Sequence, residues 1–256
     1  MRRPSGLTMD RLLELTYRAE QSHFWFRGFR WFVRPFVARA VAGVPAPRLI
    51  DCGCGTGTNM AMLDAFGHVS GFDLTWRGLA FAAAHGRRRI AQGSIGAIPF
   101  RDGSADVVTS FDVFQCLPSD VEAAAIRELA RVLKPGGRMV LTFAAFEALR
   151  GEHSVLAEEV RRYTPGDVRR LLEGAGLEVE RLTCTNAVLF PLLLLVRSLQ
   201  RLKSGGAPPP GEWEITVPVA PVNAAMSALL WLEAQVLKAI NLPFGGSILC
   251  LARKPR

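Results

Sequence analysis

Apolar positions along the chain fall into short blocks, and the blocks change period. Runs of four to eight apolar residues end at turns, and stretches with helical spacing separate them. The runs at residues 48–51, 68–72, 90–93, 105–112 and 138–143 predict five strands, closed by Asp51, Asp73 and Asp112 at three of their ends. Between them, residues 59–66, 76–85 and 120–132 have helical spacing; in the last, Val121, Ile126, Leu129 and Val132 share a side. Lys134-Pro135-Gly136-Gly137 predicts a stop to that helix. Such strand–helix repetition predicts a parallel α/β sheet, with ligand loops gathered at its carboxyl edge.

The flanks are less regular. Residues 1–8 carry no periodic signal, and Asp10 can cap a helix running to about Gln21, with Leu12, Leu13 and Leu15 inward. His23-Phe24-Trp25-Phe26-Arg27-Gly28-Phe29-Arg30-Trp31-Phe32 is dense in aromatics threaded with arginine. It reads as a helix packed on the core or as a lid over a ligand. Helical character continues to about Ala42, where Pro45 and Pro47 end it. Beyond the fifth strand, residues 165–174 predict a helix, 177–184 a sixth strand and 247–253 a seventh. The long connection between the last two holds an apolar run at 187–199, a Gly/Pro-rich break at 204–211 and a second apolar helix at 222–240. A connection of that length in a compact domain usually serves a purpose. A substrate lid, a dimer surface or contact with a membrane surface would each use it.

Composition narrows the classes. The chain has 256 residues, 49% hydrophobic and 21% charged, which suits one domain with a sizeable core. Lys and Arg number 31 against 23 Asp and Glu, a net charge of +8. The basic residues are scattered and no nucleic-acid motif accompanies them, so a solvated basic surface is expected and no nucleic-acid partner. Cys52, Cys54, Cys116, Cys184 and Cys250 fit no zinc spacing, so free thiols and no metal are expected. No apolar run reaches the ~20 residues of a membrane span, and the N-terminus shows no signal-peptide stretch. The expected location is the cytoplasm, with peripheral contact at the inner membrane face as a variant of it.

The chemistry centres on Leu49-Ile50-Asp51-Cys52-Gly53-Cys54-Gly55-Thr56-Gly57. A buried strand feeds a turn in which glycines alternate, so the backbone can take positive φ and approach a ligand closely. Asp51 is placed to hold loop amides or a ligand amine. Asp73, after the second strand, stands where nucleotide-binding folds keep an acid for the ribose hydroxyls. By itself the loop would suit NAD, a flavin or another nucleotide.

Asp51-Cys52-Gly53-Cys54-Gly55-Thr56-Gly57, Gly71-Phe72-Asp73, Ile98-Pro99-Phe100, Asp106-Val107-Val108 and Arg131-Val132-Leu133-Lys134-Pro135-Gly136-Gly137 occur in that order. With them the chain resembles the class I S-adenosylmethionine-dependent methyltransferases, in the small-molecule branch with a DxGCGTG loop. The resemblance covers about residues 45–185 and the last strand. His23-Phe24-Trp25-Phe26 is similar to the start of one bacterial subgroup. The resemblance implies a Rossmann-like α/β fold with a seven-stranded sheet, its last strand antiparallel. An N-terminal helical lid at 1–44 and a helical insert at 187–245 would flank a cofactor domain of 45–186 with 246–256. It implies S-adenosyl-L-methionine as cofactor and S-adenosyl-L-homocysteine as product. Asp51, Cys52, Gly53, Gly55 and Gly57 would hold the methionine and ribose portion, and Asp73 would accept from the ribose hydroxyls. Leu74, Ser94 and Ile95 would meet the adenine; Phe111 and Asp112 would line the methionine end. Relatives often place an aspartate where this chain has Ser94 and a histidine near Cys116. Trp25 would cover the cofactor, and Arg27 or Arg30 would meet its carboxylate.

Methyl transfer asks mainly for alignment and desolvation, and a base only for an un-ionised acceptor. His153, after the fifth strand, is the first candidate, His23 the second, and Tyr163 a group to position the acceptor oxygen. His68 and His85 read as structural. The expected reaction is methylation of a small, apolar or amphipathic acceptor, most readily at oxygen. The alternatives are a peptide, protein or nitrogen acceptor, and a cofactor-binding regulatory protein without catalysis.

Overall fold

A computed structural model describes residues 17–151, 154, 158–203 and 217–256. His153 and the predicted helix positions before residue 17 lie outside the described residues. The helices are α1 (Phe24–Ala40), α2 (Thr58–Leu63), α3 (Trp76–Ala84), α4 (Ser119–Val132), α5 (Pro165–Glu173), α6 (Phe190–Lys203) and α7 (Ala220–Val236). The strands are β1 (Arg48–Cys52), β2 (His68–Asp73), β3 (Ile90–Gln92), β4 (Ala105–Phe111), β5 (Leu133–Ala144), β6 (Glu178–Thr185) and β7 (Ser247–Arg253).

The strands form one sheet in the order β3-β2-β1-β4-β5-β7-β6. Pairing is parallel from β3 to β5, and β7 is antiparallel to both β5 and β6. The carboxyl ends of β1 to β6 and the start of β7 therefore share one edge; Ser247 pairs with both Ala144 and Thr185. Strand residues alternate between two cores, as the pleat requires. Ile50, Val108, Met139 and Leu141 pack with Ile126, Leu129 and Leu172 of α4 and α5. Leu49, Val107, Val140 and Leu251 pack with Phe32 and Phe36 of α1, Leu63 of α2 and Leu230 of α7.

Two expectations change. Lys134-Pro135-Gly136-Gly137 does end a helix, but it also forms the irregular start of β5. The reason is long-range: Gly136 donates to the Lys254 carbonyl, and Lys254 donates back to Gly137. The end of the chain thus pairs with residues that local signals mark as a turn. Second, α7 of the predicted insert is continuous with the core. Leu230 lies so close to Gly28 of α1 that a β-carbon there would meet Leu230 Cδ1 at 2.4 Å. Among the described residues no helix is long and apolar enough to cross a membrane.

Candidate active site

The glycine turn is shaped by bonds to the neighbouring strand. Gly53 and Cys54 both donate to the Phe72 carbonyl, at 2.9 and 3.0 Å. Gly53 has φ +81, and a β-carbon there would lie 2.4 Å from Val113 Cγ2, so only glycine fits. The next amide, Gly55, donates to Asp73 Oδ2 at 2.8 Å. Asp73 Oδ1 takes the Thr75 amide and hydroxyl at 2.8 and 2.6 Å. The acid is thereby fixed at the loop; Oδ1 has both lone pairs engaged and Oδ2 keeps one for a further donor.

Asp51 stands behind this turn, 2% exposed, accepting from Thr109 Oγ1 at 2.7 Å. Burial raises its carboxyl to about 7; the Thr109 bond opposes the rise and the charge of Asp73 adds to it. A cation arriving here would relieve both costs. Cys52 is fully buried in β1, and burial pushes its thiol far up, so it contributes packing and backbone alone. Ile95 is likewise part of the core, and Ser94 Oγ accepts from Gly96 at 3.2 Å. Leu74 is 68% exposed directly after Asp73, and Trp76 is exposed beside it in sequence.

Thr56 and Thr58 hold a residue that sequence reasoning missed. Both hydroxyls donate to Glu20 Oε2, at 3.0 and 2.5 Å. Burial raises the Glu20 carboxyl, and the two hydroxyl bonds and nearby Arg30 oppose the rise. Only the helical spacing of the N-terminal segment hinted that residue 20 had an inner face; its partner lay 36 positions away.

The aromatic segment forms the start of α1 and packs on the core. His23 caps α1, its Nδ1 accepting the Trp25 amide at 3.1 Å, and its ring stacks on Phe24. Desolvation lowers its pKa. Arg30 donates to the Glu20 backbone carbonyl at 2.8 Å, and Arg27 lies over the Trp31 ring. Phe29 packs edge-on against Phe111 at 5.2 Å. Trp25 reaches the far side of the edge: its ring lies 3.4 Å from where a β-carbon on Gly246 would stand, and Asn186 Cβ is equally close to that point.

Tyr163 does not face an acceptor. It is buried, packs against Phe143, and its hydroxyl is within bonding distance of Glu122 and the Phe114 carbonyl. Burial, then the Glu122 contact, pushes its pKa up, so it stays protonated. Asp112, with φ +55, donates its amide to Thr142 Oγ1 at 2.9 Å and accepts from it at 3.1 Å. Solvent reaches Asp112, but the protein packed around it still raises its carboxyl. Cys116, raised to about 11 by burial, is no substitute for a basic histidine. Among the described residues no cluster of three or more His, Cys, Asp or Glu could hold a metal ion.

Beyond β5 the edge becomes aromatic. Phe146, Phe190 and Phe244 form a chain of ring contacts at 5.9 and 5.5 Å. Asn186, just past the end of β6, is 5% exposed with φ +61, and its Oδ1 has no partner among the described residues. A surface cavity of about 450 Å³, lined by Arg48, His68 and Arg89 among others, lies at the opposite edge, where β1 and β2 begin.

The loop fits S-adenosylmethionine by its own geometry. A β-carbon on Gly55 would meet nothing within 4 Å, so the backbone there is open to a ligand. Asp73 offers a carboxylate beside that opening, and exposed Leu74 an apolar surface for a base. Strand order and this loop together define a Rossmann-like methyltransferase fold. Residues 50–141 match the family described as Methyltransferase domain. The chain is 32% identical over 212 residues to a malonyl-[acyl-carrier protein] O-methyltransferase of Herminiimonas arsenicoxydans, covering 76% of this chain and 78% of that protein. It is 40% identical over 119 residues to a demethylmenaquinone methyltransferase of Clavibacter sepedonicus, covering 42% and 45%. A chain of the solved complex between the Haloferax volcanii Trm112 methyltransferase activator and a methyltransferase superposes with TM-score 0.61 at 20% identity, covering 96% of each chain, a likeness of fold. The chain belongs to the class I S-adenosylmethionine-dependent methyltransferases. It is an enzyme of that family, and the reading without catalysis is set aside.

Proposed function

We propose that this methyltransferase moves a methyl group to an oxygen of a small, apolar or amphipathic acceptor. The observation that carries the reading is the lone amide oxygen of Asn186 at the aromatic end of the sheet edge. A buried acceptor without a donor is costly, and one hydroxyl or N–H of a ligand would satisfy it. Trp25, Phe146, Phe190 and Phe244 would cover the apolar remainder. The names of two relatives support an oxygen acceptor and an apolar one respectively.

When bound, the cofactor supplies an electrophilic methyl on a sulfonium. The residues of the chain then bind, orient and exclude water. Asp73 would take the ribose hydroxyls, Leu74, Ser94 and the backbone of Ile95 would meet the adenine, and the turn from Asp51 to Gly57 would hold the methionine end with Phe111 and Asp112. Phe29 against Phe111 would close the wall between donor and acceptor. His23 is a poor base. Its Nδ1 lone pair is committed to the α1 cap, so a neutral ring carries its proton on Nε2 and has no free lone pair. His153 is therefore the proposed base.

Titration calorimetry with S-adenosylmethionine, followed by product analysis on phenolic, carboxylic and amine acceptors, tests the reading. Binding and an O-methyl product are expected; a product confined to amines would overturn it. His153→Ala should cut turnover by about 10²–10⁴ with donor affinity unchanged. Full activity would remove His153 as base.

A further inference from the structure

α7 is apolar on both of its faces. Leu230, Ala234 and Leu237, just beyond its end, pack inward on α1 and β-sheet residues. Val222, Leu229, Leu232 and Val236 point outward, with Leu232 54% and Val236 46% exposed, and Ile240 extends the same side. At 100° per residue these five positions fall within one face. A helix with two apolar faces is buried on both or borders a second apolar phase. α6 repeats the pattern, leaving Leu192, Leu195, Val196 and Leu199 exposed. So many large exposed apolar side chains on two helices exceed the scattered apolar surface of a soluble monomer.

Charge identifies what covers this face. Across residues 186–246 the sequence has Glu212, Glu214 and Glu233 against Arg197, Arg201, Lys203 and Lys238, and Glu233 is the one acid among the described residues. Glu233 is turned inward, where its carboxylate accepts the amides of Ala187 and Val188 at 3.0 and 2.9 Å. That bond anchors the approach to α6 on α7 and, among the described residues, leaves the outer face of α7 without negative charge. At the carboxyl end of α7, Arg181 donates to Asn241 and to the Ile240 carbonyl, Arg39 lies within electrostatic reach of it, and Lys238 is exposed nearby in the chain. An apolar helix face with basic side chains gathered at its end is the composition of a helix lying in a membrane interface.

We infer that the outer face of α7 docks this enzyme on an anionic lipid bilayer. α7 lies along the bilayer surface; at ~1.5 Å per residue its 17 residues would fall short of a ~30 Å span even if upright. Asn223 of α7 accepts from the Phe24 amide at 2.8 Å and donates to the Ser22 carbonyl at 3.0 Å. The docked helix is thus tied to the segment that carries Trp25 and Glu20, and the aromatic end of the sheet edge lies next to the membrane.

Co-sedimentation of the full chain with vesicles tests this, using phosphatidylcholine alone and phosphatidylcholine mixed with phosphatidylglycerol. Binding to the mixed vesicles is expected, weakened by salt and at least about tenfold weaker on phosphatidylcholine alone. Leu232→Glu with Val236→Glu should lower partitioning about tenfold or more while the melting temperature and donor affinity stay as in the parent. Absence of binding to either vesicle would overturn the inference. So would a dimer in light scattering that the double variant abolishes while vesicle binding is unchanged. Vesicle binding needs neither donor nor acceptor, so its failure leaves the methyl-transfer reading intact, and the reverse holds.

Discussion

Around the glycine turn the polar groups find partners close by: Gly53 and Cys54 meet Phe72, Gly55 and Thr75 meet Asp73, and Thr109 meets Asp51. Past β5 the same edge is made of rings and a stranded amide, Asn186, assembled from α1, β6, α6 and the approach to β7. The donor half is a rigid device with its geometry fixed before a ligand arrives. The acceptor half is a surface of general chemistry with few polar points. Donor identity is therefore written in a few adjacent residues, and acceptor identity in the shape made by distant ones.

The largest effect should come from breaking the rigid half. Gly53→Ala meets both a left-handed backbone and Val113, and should cost about 2–4 kcal/mol in a denaturant midpoint. Adding Val113→Ala should restore the crowding share alone; full restoration would mean the φ of this turn is unimportant.

Next is a pH effect specific to the donor half. The Asp51 pKa is raised to about 7 in the fold and is near 3.9 in an unfolded chain. The unfolded form gives up its proton first, so this group's contribution is complete below pH 4 and is lost as pH rises through 7. Between pH 5 and 8 the loss is about 2–3 kcal/mol. Asp51→Asn should flatten that slope in pH-dependent unfolding; an unchanged slope would place the titration elsewhere.

Asp73→Ala should weaken donor binding by about 1–3 kcal/mol in calorimetry, and unchanged affinity would sink the ribose assignment. The smallest effect belongs to the acceptor half. Asn186→Gly keeps the positive φ and removes the amide, so acceptor KM should rise roughly fivefold, about 1 kcal/mol, with donor affinity unmoved. A change in donor affinity instead would erase the division between the halves.

The two halves differ equally in how far the sequence reveals them. β1, its turn and Asp73 are legible because strand period, glycine and acid follow one another within a few residues. β7 was legible by its apolar run, its antiparallel direction only through resemblance. Glu20 was not legible, because a carboxylate on a helix is ordinary until Thr56 and Thr58 are known to face it. Tyr163 misled for the converse reason: an aromatic hydroxyl beside arginines suggests a site, and only the contact with Glu122 shows it committed elsewhere. The start of β5 hid behind a proline and two glycines that the tail at Lys254 draws into the sheet.

The bond from Phe24 to Asn223 joins positions 199 residues apart, and its consequence belongs to the chain's birth. α1 leaves the ribosome early and its partner on α7 is made late. At ~5–20 residues per second, that partner follows roughly 10–40 s afterwards. Until then part of the apolar face of α1, with Gly28 waiting for Leu230, has no cover from α7. Nascent chains of this protein should therefore be clients of whatever shields exposed aromatics during synthesis, with release timed by the last quarter of the chain.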